Sequence, residues 1–180
     1  MLLIVLLGLI AKLALVSSDC DLGTVNVNDL DWTKFADSRP SYWLLHSHEE
    51  ALDNFDCVES TFGDPGGDSS AVIVDAYDNR ERRHIAYTSN ATNWNNTGLL
   101  ELRFTDPTWN GRYNILAIDY DRYFIVKYCP DNLNELIIGV AFRSSDPDKA
   151  TLEKVKADLE DNGIDITQMV VWTRDHCQQA

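Results

Sequence analysis

Histidine is the side chain best suited to acid–base or metal chemistry near neutral pH, and this chain has four. His46 and His48 stand two residues apart, and Glu49 and Glu50 follow them directly. Imidazole and carboxylate groups at this spacing can hold a metal ion on a surface. The same residues are also typical of a solvated loop at the end of a strand, and we favour that interpretation. We interpret His176 as part of an exposed tail.

The motifs of common catalytic sites are absent from the sequence. It contains no Gly-x-Ser-x-Gly turn, no glycine-rich phosphate loop and no His-Glu-x-x-His. We therefore predict that the protein is not an enzyme and needs neither a cofactor nor a metal.

The cysteines are even in number and widely spaced: Cys20, Cys57, Cys129 and Cys177. No Cys-x-x-Cys pair or His/Cys cluster indicates a metal site. In an exported chain this pattern predicts two disulfides, and the sequence alone allows any of three pairings.

The first residues have the pattern of an export signal. Residues 2–10 form an apolar run that is too short to span a bilayer comfortably, and the small residues of 16–18 are suitable for cleavage. We predict a signal peptide over 1–18 and a single secreted domain over 19–180. No later apolar run reaches the length of a membrane span, so we expect no stable membrane insertion.

The formal net charge of −14 makes the surface strongly acidic. Such a surface repels phosphate groups, so we expect no nucleic-acid partner. The sequence leaves the oligomeric state open.

Short β-rich runs, separated by Gly, Asp, Asn and Pro, fill most of the chain. We predict eight strands, at residues 41–47, 55–62, 70–77, 82–89, 98–105, 113–119, 122–129 and 135–143. This even spacing favours a β-sandwich or a barrel over an alternating β/α sheet.

The periodicity changes near residue 149, where a helix is predicted over 149–162. Three apolar residues share one face of it: Leu152, Val155 and Leu159. Gly163 is a candidate for the end of this helix, and 164–173 is predicted to form a ninth strand.

The hairpin at residues 113–129 carries the most specific motif. Asp119-Tyr120-Asp121, followed by a strand ending in Cys129, resembles the second signature of the lipocalin family, although Ile118 replaces the usual Thr.

Two further positions match lipocalin signatures. Trp43 fits the first, Gly-x-Trp, with Ser41 in place of Gly, and Arg143 fits the third, an Arg after the eighth strand. The order of eight strands, helix, strand and Cys-bearing tail covers the whole mature chain. The C-terminal part is most similar to the apolipoprotein D and insect bilin-binding branch.

The resemblance implies an all-β fold with one helix. It would be an eight-stranded antiparallel up-and-down barrel, with a C-terminal helix and a short ninth strand. It implies that Cys20 pairs with Cys129 and Cys57 with Cys177, which leaves no free cysteine nucleophile. It also implies structural roles for Asp119 and Tyr120, and stacking of Arg143 on Trp43 at the closed end of the barrel.

The function implied by the resemblance is the carriage or sequestration of a small hydrophobic molecule. Candidates are a bilin, carotenoid, retinoid, sterol or fatty acid, and a bound chromophore would be biliverdin or a carotenoid. One alternative is a salivary-type lipocalin that binds amines or haem, with haem ligated by His84. Another is a protein-interaction inhibitor with a filled barrel.

Alternation along the strands suggests which residues line the cavity. In the fifth strand the apolar residues share one face, and Glu101 and Arg103 lie on the other face. In the next strands both faces are apolar, and similarity to retinol-binding relatives selects one set. The predicted lining residues, which would otherwise simply fill the core, are Leu100, Leu102, Phe104, Tyr113, Ile115, Ala117, Phe124, Val126, Ile137 and Gly139.

Few polar groups are expected in such a cavity, and the candidates are Tyr77, Tyr87 and Tyr113. Asn90 and Asn95 begin N-glycosylation sequons, which we place in a polar loop between strands.

Overall fold

In the computed structural model the chain forms one antiparallel sheet of nine strands. The structure describes residues 20–47, 52–131, 135–172, 174 and 177, so the predicted signal peptide, His48 and His176 lie outside the described residues. The elements are α1 Trp32–Phe35, β1 Ser41–Ser47, β2 Phe55–Phe62, β3 Ser69–Asp78, β4 Arg83–Asn93, β5 Leu99–Phe104, β6 Gly111–Asp119, β7 Tyr123–Pro130, β8 Ile137–Phe142, α2 Lys149–Asp161 and β9 Met169–Val171.

The sheet closes on itself as an eight-stranded barrel. Strands β1 to β8 pair in sequence order, and β1 pairs with both β2 and β8, which joins the two ends. Strand β9 pairs with β1 outside this ring. The predicted barrel with a helix and a ninth strand is therefore confirmed. Strand β9 is shorter than predicted, because Ile166–Gln168 form a 3-10 turn that is capped by Asp165.

Aspartates set the hairpin turns, as their side chains can accept hydrogen bonds from nearby backbone amides. In the β6–β7 turn, the Asp119 carboxylate accepts the amide of Asp121 at 3.2 Å. In the β3–β4 turn, the carboxylate of Asp78 accepts the amides of Arg80 and Glu81 at 2.8 and 3.0 Å.

A β-bulge divides strand β6 into two parts. Its pairing with β7 shifts by one residue between Ile115 and Ala117, so Leu116 is an extra residue. After the bulge, Ala117 packs in the apolar layer beneath the helix, whereas Ile118 packs against the barrel interior. The prediction that Ala117 faces the cavity is therefore wrong, because the bulge reverses the alternation.

Helix α2 packs against the outer surface of the barrel. Asp148 caps its first turn by accepting the amide of Thr151 at 2.7 Å. Its buried residues are Thr151, Val155 and Leu159, whereas Leu152 is 43% exposed. The prediction that Leu152 lies on the packed face is wrong, because the buried face follows a spacing of four. Among the described residues, no helix is long and apolar enough to cross a membrane.

Both disulfides have the pairing implied by the resemblance. Cys20 is joined to Cys129 and Cys57 to Cys177, across 109 and 120 residues of sequence. The first ties the N-terminal segment to β7, and the second ties the C-terminal tail to β2. Each bridge closes a loop long enough to restrict the unfolded chain strongly.

Candidate ligand-binding cavity

The barrel encloses a cavity of about 120 Å³. Strands β1 to β7 all contribute to its wall, and α1 contributes Phe35. Every lining residue that the structure describes is uncharged, and most are aliphatic or aromatic. Such a wall favours an apolar occupant.

Seven of the ten predicted lining residues border this cavity: Leu100, Leu102, Phe104, Tyr113, Ile115, Phe124 and Val126. The facing of β5 follows the prediction, since Arg103 on the other face pairs outside the barrel with Glu101 and Asp131. Contact of these seven residues with a ligand stays a prediction.

Ile137 and Gly139, on β8, face the barrel interior as predicted, but neither residue borders the cavity. Gly139 pairs with Val126, and a Cβ atom at Gly139 would lie 2.7 Å from the ring of Trp43. Ile137 is buried in the interior cluster. The Trp43 ring thus covers Gly139, and Ile137 is not among the lining residues. The prediction that Ile137 and Gly139 line the cavity is therefore wrong.

Arg143 seals one end of the barrel. Its guanidinium donates hydrogen bonds to the carbonyl oxygens of Phe35 and Arg39 at 3.0 and 3.2 Å and to the hydroxyl of Ser41 at 2.8 Å. Asp37 pairs with it at 3.4 Å. Burial lowers the pKa of Arg143, while Asp37 acts to raise it. Ser41, the departure from the Gly-x-Trp signature, therefore supplies an acceptor for this buried charge.

The aromatic partner of Arg143 differs from the one that the resemblance implies. Its guanidinium carbon lies 6.0 Å from the ring centroid of Phe124. Phe124 in turn contacts Trp43 edge-on, at a centroid distance of 5.5 Å. The structure thus records the contact with Phe124 rather than with Trp43, and Phe124 is the ring that contacts both signature residues.

The second signature holds the N-terminal segment against this closed end. The hydroxyl of Tyr120 accepts the amide of Asp31, the residue that caps α1, at 2.8 Å. Arg39 donates to the carbonyl of Tyr120 at 3.1 Å. Tyr120 therefore has a structural role, while Asp119 shapes the turn that presents it.

His46 is buried rather than solvated, with 1% of its surface exposed. Its ring lies against that of Trp172 in a tilted arrangement, with the centroids 4.2 Å apart, and Trp172 lines the cavity. The interpretation of His46 as part of a solvated loop is wrong, because the C-terminal segment covers this part of β1. In the described part of the chain, no three His, Cys, Asp or Glu residues are grouped closely enough to hold a metal.

The three tyrosine candidates have different environments. Tyr113 is buried, stacks on Tyr128 at 4.8 Å and donates to the carbonyl of Trp109 at 2.9 Å. Burial raises the pKa of Tyr113 well above its ordinary value. Tyr87 lines the cavity, whereas Tyr77 is not among the lining residues and its ring contacts the exposed His84. Tyr77 is therefore no longer a candidate.

Several lining residues were not predicted. Strands β2 and β3 contribute Val58, Phe62, Val72 and Val74, among others. In β2, alternation with Glu59 and Thr61 indicates from the sequence that Val58 and Phe62 face inward. In β3, Ala71 and Ile73 are also apolar, so the sequence does not decide the facing. Trp109 lies in a 3-10 turn, where no strand periodicity exists to indicate its direction.

The first glycosylation sequon does not lie in a loop. Strand β4 continues to Asn93, so Asn90 is an exposed strand residue that pairs with Ala71 and Arg103. Asn95 is exposed in the following turn, as predicted. Glycosylation of both stays a prediction.

The barrel is similar to several solved structures. Per a 4, a major allergen from cockroaches, is 24% identical, with 91% of this chain and 99% of that chain covered and a TM-score of 0.75. The amine binding protein of Rhodnius prolixus, solved as a tryptamine complex, is 17% identical, with 86% of each chain covered and a TM-score of 0.70. Insecticyanin from the tobacco hornworm Manduca sexta is also 17% identical, with 86% of each chain covered and a TM-score of 0.69. No family model and no curated protein matches this chain. These structures are lipocalins, and the likeness establishes that this chain has the lipocalin fold.

Proposed function

We propose that this chain is a secreted lipocalin that carries or sequesters a small, uncharged apolar molecule inside its barrel. The observation that carries the proposal is the cavity of about 120 Å³ with its uncharged and largely apolar wall. A filled barrel, as expected for a protein-interaction inhibitor, would leave no such space.

The cavity volume favours a ligand smaller than most of those that the resemblance implies. Pockets for drug-sized ligands usually have about 300–1,000 Å³, whereas an engineered apolar cavity of about 150 Å³ in another protein binds benzene. A volume of about 120 Å³ suits a slender or single-ring molecule better than a bilin, carotenoid, retinoid, sterol or haem.

The wall also favours a neutral ligand over an amine. A protonated amine taken out of water needs an anionic partner, and the described lining residues include no Asp or Glu. They include no His either, and His84 is exposed on β4, which speaks against the haem alternative.

Two observations support secretion. The two disulfides are typical of an oxidising compartment, and the first residues have the pattern of a signal peptide. The N-terminus of the protein exported by eukaryotic cells, read by mass spectrometry, should begin close to residue 19. Retention of residues 1–18 would contradict the proposed cleavage.

The proposed function is tested by filling the cavity from one wall. Toluene and methyl heptanoate should bind the wild-type protein at one site with micromolar affinity, measured by isothermal titration calorimetry. Ala76 is 4% exposed and lines the cavity, so Ala76→Trp should abolish this binding. The circular dichroism spectrum should stay β-rich.

The matched control is Ala86→Trp, on the outer face of the neighbouring strand β4, where the side chain is exposed. Because an exposed substitution changes the free energy of most states little, affinity should stay within about twofold of wild type. Equal losses for both variants, or no binding by the wild-type protein, would contradict the proposal.

A further inference from the structure

Most polar atoms in the cavity wall already have partners within the protein. The indole nitrogen of Trp43 donates to the hydroxyl of Ser60 at 3.0 Å, and that of Trp172 donates to the carbonyl of Leu52 at 3.2 Å. The hydroxyl of Tyr113 donates to a backbone carbonyl. Because these groups are satisfied, they do not need a hydrogen bond from a ligand.

Two donors in the wall are different. The hydroxyl of Tyr87, on β4, and the indole nitrogen of Trp109, in the 3-10 turn between β5 and β6, make no hydrogen bond with any residue that the structure describes. Both side chains are half-buried, so water can reach them in the empty protein. A ligand that displaces this water must supply an acceptor, or the donors are left unpaired at a cost in affinity.

The charges near Tyr87 restrict what that acceptor can be. Burial raises the pKa of Tyr87 above its ordinary value. The carboxylates of Asp106, Asp78 and Glu81 raise it further, each by less than burial does. The phenol therefore stays protonated and donates. Arg83 offsets part of this field, through its ion pair with Glu81 at 2.5 Å. The remaining negative potential disfavours a carboxylate head group at this position.

We infer that the cavity takes a neutral apolar molecule with one acceptor oxygen, such as an ester, ketone or aldehyde, which Tyr87 and Trp109 hold by hydrogen bonds. This inference rests on the proposed function and specifies its ligand class. A carbonyl oxygen accepts a hydrogen bond from either donor, whereas an ammonium group brings only donors and cannot pair with the indole N–H.

The test compares four probes of similar length: octane, methyl heptanoate, octanoate and octylamine. Their affinities for the full protein are measured at neutral pH by isothermal titration calorimetry. We expect methyl heptanoate to bind most tightly. Tighter binding of octanoate or octylamine would overturn the inference while leaving the proposed carriage of a small molecule intact.

Two variants test whether Tyr87 and Trp109 donate hydrogen bonds to the acceptor oxygen of the ligand. Tyr87→Phe and Trp109→Phe should each weaken binding of methyl heptanoate by about fivefold, because each removes one donor and keeps an aromatic ring. Binding of octane should stay within about twofold for both, since octane uses neither donor. Tyr77→Phe is the control, since it removes a phenol from outside the cavity.

The outcomes separate the two proposals. If octane and the ester bind equally well and neither variant changes the ester affinity, the two donors are not used and the inference fails alone. If no probe binds the correctly folded wild-type protein, both the inference and the proposed function fail.

Discussion

Replacement of Phe124 by alanine is expected to lower the free energy of unfolding by about 3–5 kcal/mol. The ring is 4% exposed and contacts Phe35 and Trp43 at centroid distances of 5.1 and 5.5 Å, with Arg143 at 6.0 Å. Its loss would leave a void between the cavity floor and α1, and it would remove the ring against which the buried guanidinium rests. Urea unfolding monitored by circular dichroism measures the change.

Phe55→Ala is the matched control for this substitution. Phe55 is half-buried at the start of β2, where its ring contacts Trp109 at 6.2 Å. Because this ring is still partly in contact with water, its removal should cost only about 1 kcal/mol. Equal losses in the two variants would show that the closed end is no more important for stability than the start of β2.

Removal of the bridge between Cys57 and Cys177 should have a comparable effect. In the chain-entropy model a bridge across 120 residues contributes about 4–5 kcal/mol, so the double serine variant should lose up to that amount. The melting temperature and urea midpoint of the variant, compared with those of wild type, measure the loss. An unchanged midpoint would mean that the C-terminal tail adds nothing to the stability of the barrel.

The backbone at Cys57 provides an internal control. Cys57 has a φ of 55°, a left-handed conformation that costs a residue with a side chain about 1–2 kcal/mol. Glycine adopts it without this cost. Cys57→Gly combined with Cys177→Ser should therefore be more stable than the double serine variant by about 1 kcal/mol. The reverse order would show that β2 changes conformation once the bridge is absent.

The strands could be predicted from the sequence because turn formers and β-rich runs alternate so regularly. The Asp-rich turn after Asp119 and the helix cap at Asp148 lie where their side-chain chemistry indicates. The predicted end of β4 falls short of the observed one because Asn90, Ala91 and Asn93 are poor strand formers. Pairing with β3 on one side and β5 on the other overrides that local preference.

The facing of β6 could not be predicted beyond Ile115. From Ile115 to Ile118 the residues on both faces are apolar, because one face borders the barrel interior and the other lies under α2. A bulge in such a strand changes which residues face inward without changing the apolar pattern. The position of Ala117 therefore depends on pairing with β7, which the sequence of β6 does not contain.

The size and polarity of the cavity also lie beyond sequence reasoning. The volume depends on how the rings of Trp43, Trp109 and Trp172 occupy the space between strands, and two of these rings lie outside the barrel strands. Which polar atoms remain available to a ligand depends on partners that are distant in sequence. The indole nitrogen of Trp172, for example, donates to the carbonyl of Leu52, 120 residues away. Neither feature follows from alternation along a single strand.

The seal around Arg143 has a kinetic consequence. Because the guanidinium and its four partners close the barrel beneath Trp43 and Phe124, a bound molecule must leave through the opening by which it entered. Because the closed end offers no second way in, an arriving molecule cannot displace the resident one from behind. Exchange then proceeds by emptying first and refilling second, so the rate at which the resident molecule departs is independent of the concentration of its competitor.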